Sequence, residues 1–207
     1  MIHVWKVSGE EVAAIAMDDL RDWSGTVYVR RLKEHLQRLS GIPRFRQELV
    51  MQNGVRLEDG ARLHWPLDLQ LVQLPYADPS EVTMRYLTHA AAMGRVEDVE
   101  SLLQQRVNPD LVPIWTCTPL VQACYYGHTN VVRLLLEARA NTQKTAVQNC
   151  WLANEQGVVH RLGPQPGMLF GTPMHVALSM CHFEIVDELT DELCLQRSAT
   201  LGETQVP

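Results

Sequence analysis

"TPLVQACYYGHTNVVRLLLEARAN", residues 118–141, decides the fold, because the chain carries versions of it three times. Moved back by 33 residues it falls on "RYLTHAAAMGRVEDVESLLQQRVN", residues 85–108. Leu87 then lies under Leu120, Ala90 under Ala123, Gly94 under Gly127 and Val99 under Val132. Leu102 and Leu103 match Leu135 and Leu136, Arg106 matches Arg139, and Asn108 matches Asn141. Moved forward by 54 it falls on "TPMHVALSMCHFEIVDEL", residues 172–189, with Thr172 and Pro173 under Thr118 and Pro119 and His182 under His128. That larger shift is one 33-residue period with 21 residues inserted. A fixed period of this length marks an array of one repeated supersecondary unit.

Each copy has the same physical logic. Thr-Pro at 118–119 and 172–173 starts a helix: the hydroxyl caps it, and proline's fixed φ suits a first turn that has no use for its missing N–H. A short apolar helix follows and ends at Gly127, which can take the left-handed conformation that reverses the chain. A second helix carries Val131, Val132, Leu135 and Leu136 on one side. One such hairpin cannot bury both of its apolar faces, so neighbours must stack.

These residues resemble ankyrin repeats, with "TPLVQA" and "TPMHVA" standing for the family's T-P-L-H-x-A and "GHTNVVRLLLEARAN" for its second helix. The resemblance covers roughly residues 81–195. It implies an all-α solenoid of about three repeats that binds other proteins, with Thr118, Pro119, Gly127, Thr172, Pro173 and His175 as structural motif residues. Several positions depart from the pattern. Arg85-Tyr86 replaces Thr-Pro in the first copy, and Gln122 is read in place of the motif histidine in the second. Cys181 stands at the inter-helix glycine of the third, and Thr190 stands where Leu136 sits. Arg106 and Arg139 replace the glycine that usually ends the second helix, at a cost of roughly 1 kcal/mol each if the left-handed conformation is kept. The inserted residues lie within 142–171, where the family places its connecting finger. Trp151, Leu152, Val158 and Val159 are too apolar for a free linker, and "GPQPG" marks an irregular exit. A hairpin-like finger folded over the concave face is expected.

Residues 1–76 do not repeat. "IHVWKV" and "EVAAIAM" read as two strands joined at Ser8-Gly9. Val29, Leu32, Leu36 and Leu39 space out one apolar helix face, ended by Gly41, with Pro43 preventing resumption. "QELVMQNGVRLEDG" gives a strand, an Asn-Gly turn and a short strand, and "DLQLVQLP" a last one, so the order is β-β-α-β-β-β. "RLSGIPRFRQELVMQNGVRLEDGARL", residues 38–63, resembles ubiquitin in Gly41-Ile42-Pro43, Gln47, Leu49, Leu57-Glu58-Asp59-Gly60 and Leu63. The resemblance implies a β-grasp fold and an apolar docking patch on the exposed sheet, centred on Val50 and flanked by Leu49 and Met51. It further implies ubiquitin receptors or the proteasome as partners. Conjugation in that family requires a terminal Gly-Gly. Here "LVQLPYADPS" runs on into the repeats, so this domain is built in.

The expected organisation is therefore an α+β ubiquitin-like domain at 1–76, a linker at 77–80, ankyrin repeats at 81–195 and a tail at 196–207. With 46% hydrophobic and 20% charged residues the composition is that of a globular protein. No apolar run reaches membrane-spanning length, and Lys6 and Glu10 interrupt the start before a secretory core can form. The net charge of −6 lies wholly beyond residue 76, which argues against nucleic-acid binding. Arg30, Arg31, Lys33, Arg38, Arg44 and Arg46 form a local basic cluster, read either as a solvated face or as a docking surface for an acidic partner. Five scattered cysteines without a CxxC pair read as reduced thiols, several of them buried, in a protein of the cytoplasm or nucleus.

No His/Cys set has zinc spacing, and no G-x-S-x-G, P-loop or G-x-G-x-x-G occurs, so neither a metal nor a cofactor is expected. The leading reading is a non-enzymatic adaptor that binds a client protein through the repeats. Trp151, Arg139 and Asn141 in and beside the finger join Val50, Leu49 and Met51 as contact residues. Two readings compete: a thiol hydrolase using Cys150 and His160, and a decayed array that the first domain chiefly stabilises.

Overall fold

Buried residues two positions apart on its strands build the first sheet. β1 (Ile2–Lys6) buries Ile2 and Val4, and β2 (Glu11–Ile15) returns antiparallel after a turn in which Gly9 has φ 86°. The computed structural model describes residues 1–16, 19–20, 26–64, 66–112, 117–145, 151–153, 159–161 and 171–202. It divides into two units, Met1–Tyr76 and Ala77–Pro207.

In the first unit α1 (Val29–Ser40) ends at Gly41, whose φ of 71° turns the chain while its N–H donates to the Gln37 carbonyl. After a 3-10 turn at Arg44–Arg46 come β3 (Gln47–Met51), β4 (Arg56–Leu57) and β5 (Leu67–Gln73). The sheet order is β2-β1-β5-β3-β4, with β1 and β5 parallel and the other pairs antiparallel. Val29, Leu32 and Leu36 of α1 meet Ile2, Val4, Ile15, Leu49, Leu69 and Leu71 in one core. Leu39, expected on the same helix face, stands in the last turn and is exposed. Gln47 locks helix to strand: its Nε2 donates to the carbonyls of Lys33 and Ile42.

The basic cluster is largely absorbed by this unit and is not one docking surface. The Arg44 side chain is fully buried and pairs with Asp59 at 3.1 Å, its guanidinium 3.8 Å above the Phe45 ring. Lys33, also buried, holds the other Asp59 oxygen at 2.6 Å. Arg30 and Arg31 pair with Glu34, and Arg46 donates to the Leu74 carbonyl with its guanidinium over Tyr76. The local sequence could not reveal this, because Asp59 lies 15 residues or more from its cations.

In the second unit the described residues form three helix pairs: α2 (Glu81–Ala92) with α3 (Val96–Gln104), α4 (Pro119–Tyr126) with α5 (Thr129–Glu137), and α6 (Pro173–Ser179) with α7 (Phe183–Gly202). First helices pack on first helices and second on second. The α2 helix begins a turn before the register position of Thr118-Pro119, because Ser80 accepts the Thr83 N–H and caps it there. Arg85-Tyr86 therefore lies inside the helix. The linker expected at 77–80 is already tied down, since the Ala77 N–H donates to the Arg106 carbonyl. The tail expected from 196 is helical as far as Gly202. The insertion contributes β6 (Trp151–Ala153) and β7 (Val159–Arg161), an antiparallel pair. β6 comes alongside α2, so a segment that follows the second helix pair returns to the first.

Candidate binding surfaces

The inter-helix turns are built from a recurring histidine contact. His128, just before α5, lays its ring over Gly94 of the preceding pair and donates from Nε2 to the Ala92 carbonyl at 2.9 Å. His182 does the same over Gly127, reaching the Tyr125 carbonyl at 3.2 Å. The acceptor is a carbonyl in both cases, so Nε2 must carry the hydrogen. These histidines are stacking residues, as the repeat register implies.

Charge joins the second helices. Arg133 of α5 pairs with Glu188 at 2.7 Å and Glu184 at 3.2 Å on α7, and Arg139 pairs with Glu192 at 2.7 Å. The Glu188 hydrogen bond and charge hold the Arg133 guanidinium still more firmly protonated. Arg106, Arg139 and Cys181 all take positive φ, 63°, 62° and 59°, so the non-glycine residues at turn positions keep the left-handed turn. Asn108 and Asn141 each accept a backbone N–H two residues on, from Asp110 and Gln143. The Asn141 N–H donates to Asp110, tying one finger to the next.

Arg139 and Asn141 thus have partners inside the array, beside the finger where contact residues were expected. Trp151 opens β6 and His160 lies on β7, while Cys150, Val158 and the Gly-Pro-Gln-Pro-Gly stretch lie outside the described residues. Thr118 accepts the Val121 N–H as a cap, whereas Thr172 uses its hydroxyl on His175 Nδ1 at 2.8 Å. The offset that lays Thr118 under Thr172 puts Val121, not Gln122, opposite His175, which corrects the reading of that motif position. Gln122 is buried.

On the first unit's sheet, strand alternation separates the three residues expected to form one patch. Leu49 is fully buried and Met51 packs against the same core, because both lie on the helix-covered side. Val50 alone faces outward, and this corrects the expectation for Leu49 and Met51. Register then names neighbours that sequence reading missed. Trp5 and Val50 both pair with Gln70, forming one row across the sheet, and Val72 stands in the next row opposite Glu48. The signal for Val72 was its two-residue offset from Gln70, legible only once β5 was paired with β3.

Cysteine chemistry differs from expectation at one position. Cys117 is disulfide-bonded. Cys124, Cys181 and Cys194 are not disulfide-bonded. Spacing along the sequence could not show this, because the pairing depends on the fold. Burial pushes the Cys124 thiol up to about 12. Among the described residues no group of three His, Cys, Asp or Glu side chains is placed to hold a metal ion, and no helix is long and apolar enough to cross a membrane.

A family model described as "Ankyrin repeats (3 copies)" matches residues 87–197, more than half of the chain. One similar solved structure is the human ASB11 ankyrin repeat domain, 26% identical over 51% of this chain and 38% of that chain, with a TM-score of 0.39. This chain therefore spans well under two thirds of that protein's length. No curated protein sequence matches. The 33-residue period, the stacked helix pairs and the family match lead to one conclusion: the chain belongs to the ankyrin-repeat family.

Proposed function

We propose that the protein is a non-enzymatic adaptor with two binding surfaces. Ankyrin repeats are a protein–protein interaction module, and the repeats here take a client through the fingers and the face formed by the first helices. The single observation that carries this reading is the return of β6 to α2. It brings the inserted finger, with Trp151, to the side of the first helices, and no ordinary 33-residue unit needs such a segment to stack.

The first unit is an integral ubiquitin-like domain in this proposal. Support comes from the strand order β2-β1-β5-β3-β4 with a parallel central pair, one helix across one face, and Gln47 locked beneath the Ile42-Pro43 bend. Its docking face is Val50 with Trp5, Gln70 and Val72, and its partners are ubiquitin receptors or the proteasome. Cytoplasmic or nuclear residence belongs to the same proposal and is supported by the exposed Cys181 and Cys194, neither of them in a disulfide. The disulfide at Cys117 counts the other way.

Affinity capture with the full chain tests both surfaces. A variant lacking the inserted residues should lose the client and keep ubiquitin-receptor capture, and Val50→Asp should do the reverse. Unchanged capture by both variants would overturn the assignment.

A further inference from the structure

Among the described residues, the last helix pair leaves exposed what the pair before it buries. Moved forward by 54 residues, Cys124, Val132 and Leu136, all buried, become Leu178, Val186 and Thr190. Leu178 is 46% exposed, Val186 is half-buried and Thr190 is exposed. Thr129, whose hydroxyl donates to Glu184 of the next pair, becomes Phe183, 64% exposed. Arg133, which receives Glu184 and Glu188, becomes Asp187, and Asp191 follows one turn on. The outer side of this pair thus keeps apolar groups where an interface belongs and reverses the charge that governs it.

The same interface within the array shows what fits. The α5–α7 contact has buried apolar residues on both helices and is joined by opposite charges, Arg133 of α5 and Arg139 just beyond it meeting carboxylates of α7. On the outer side of α7 the carboxylates face outward, so the complementary helix is basic. Another repeat of this chain does not take the place in the manner of the earlier pairs. The α3 and α5 helices stop after nine residues and the chain turns back at Arg106 and Arg139. At the equivalent position, Leu193, α7 continues unbroken within its 20 residues. A second copy paired by a two-fold axis would set Asp187 and Asp191 against their own copies, a like-charge juxtaposition.

We propose that the end face formed by Leu178 and the Phe183, Val186, Asp187 and Asp191 stripe of α7 docks a basic amphipathic helix of another protein. The helix lies across α7 as α7 lies across α5. The surface is separate from the fingers and from the first-helix face.

Two labelled synthetic helical peptides test this with the full chain by fluorescence anisotropy. Both carry leucines at i, i+3, i+4 and i+7; one is flanked by lysines, and its twin has glutamate at every lysine. The lysine peptide should bind about tenfold or more tightly than its twin, and high salt should weaken it. Asp187→Lys with Asp191→Lys should invert the preference, whereas Glu81→Lys with Glu97→Lys, an equal change of net charge elsewhere, should leave it intact. Phe183→Ser should weaken binding of the preferred peptide. Equal affinity for the twins, no binding by either, an equal loss in both double variants, or a dimer in sedimentation that the α7 changes abolish would each overturn the proposal.

Discussion

The imidazole of His128 occupies the space that a side chain on Gly94 would need: a Cβ there would come 2.6 Å from His128 Nδ1. Gly94 also has φ 66°, so it serves the turn and the stacking together. Gly127 and His182 repeat the relationship in the next unit. Gly94→Ala should lower stability by about 2 kcal/mol, summing the left-handed cost and the forced shift of the ring. Urea denaturation measures it, and His128→Ala in the same background should recover the steric share. A Gly94→Ala variant as stable as the parent would show that the ring moves aside freely.

Cys181 holds a left-handed conformation without being glycine and bears an exposed side chain. Cys181→Gly should therefore stabilise the array by about 0.5–1 kcal/mol, the conformational relief less the added freedom of the unfolded chain. Arg139→Gly should gain less, because it also removes the ion pair to Glu192. Thermal melting of the two variants side by side would show the order, and a destabilised Cys181→Gly would contradict it.

Asp59 neutralises two buried cations. Asp59→Ala leaves Arg44 and Lys33 without that carboxylate and should destabilise the first unit by about 2–3 kcal/mol, discounted for the partial exposure of Asp59. Amide exchange within α1 of the full chain reports the loss. Exchange unchanged from the parent would mean that the cations find water instead.

The thiols should separate by burial. With Cys124 ionising only near 12, about 10⁻⁴ of it is thiolate at pH 8, so native alkylation should mark Cys181 and Cys194 and spare Cys124. The folded thiol ionises above its ordinary 9.0. Its contribution to stability is therefore complete below pH 9 and is lost as pH rises towards 12. Peptide mapping after brief iodoacetamide treatment checks the pattern, and early labelling of Cys124 would refute it.

Neighbouring residues on β3 should respond in opposite ways. Val50→Asp, on the outer face, should cost about 0.5 kcal/mol or less, while Leu49→Asp puts a charge in the core and should cost about 3 kcal/mol or more. Circular dichroism of the two variants decides between the assigned faces. Similar losses in both would mean that the outer face is covered.

The repeat was legible in the sequence because each helix pair is a local object. Capping threonine, proline, turn glycine and apolar spacing all act within about a dozen residues and recur at a fixed offset. The first unit's element order was legible for the same reason: each strand and helix carried its own period and its own stop signals. Relations between distant segments were not. Alternation along β3 defines two faces, but only pairing with β5 and cover by α1 decide that Leu49 goes in and Val50 out. A row of basic residues looks like a surface until Asp59 is brought beneath two of them. The last helix pair resembles its predecessor in sequence, yet among the described residues no helix pair stacks on its outer side, and exposure there follows from position in the stack. Sequence by itself determined the units and their number; tertiary structure decided which side of each faces protein and which faces water, because burial is a property of what packs against a segment and not of the segment alone.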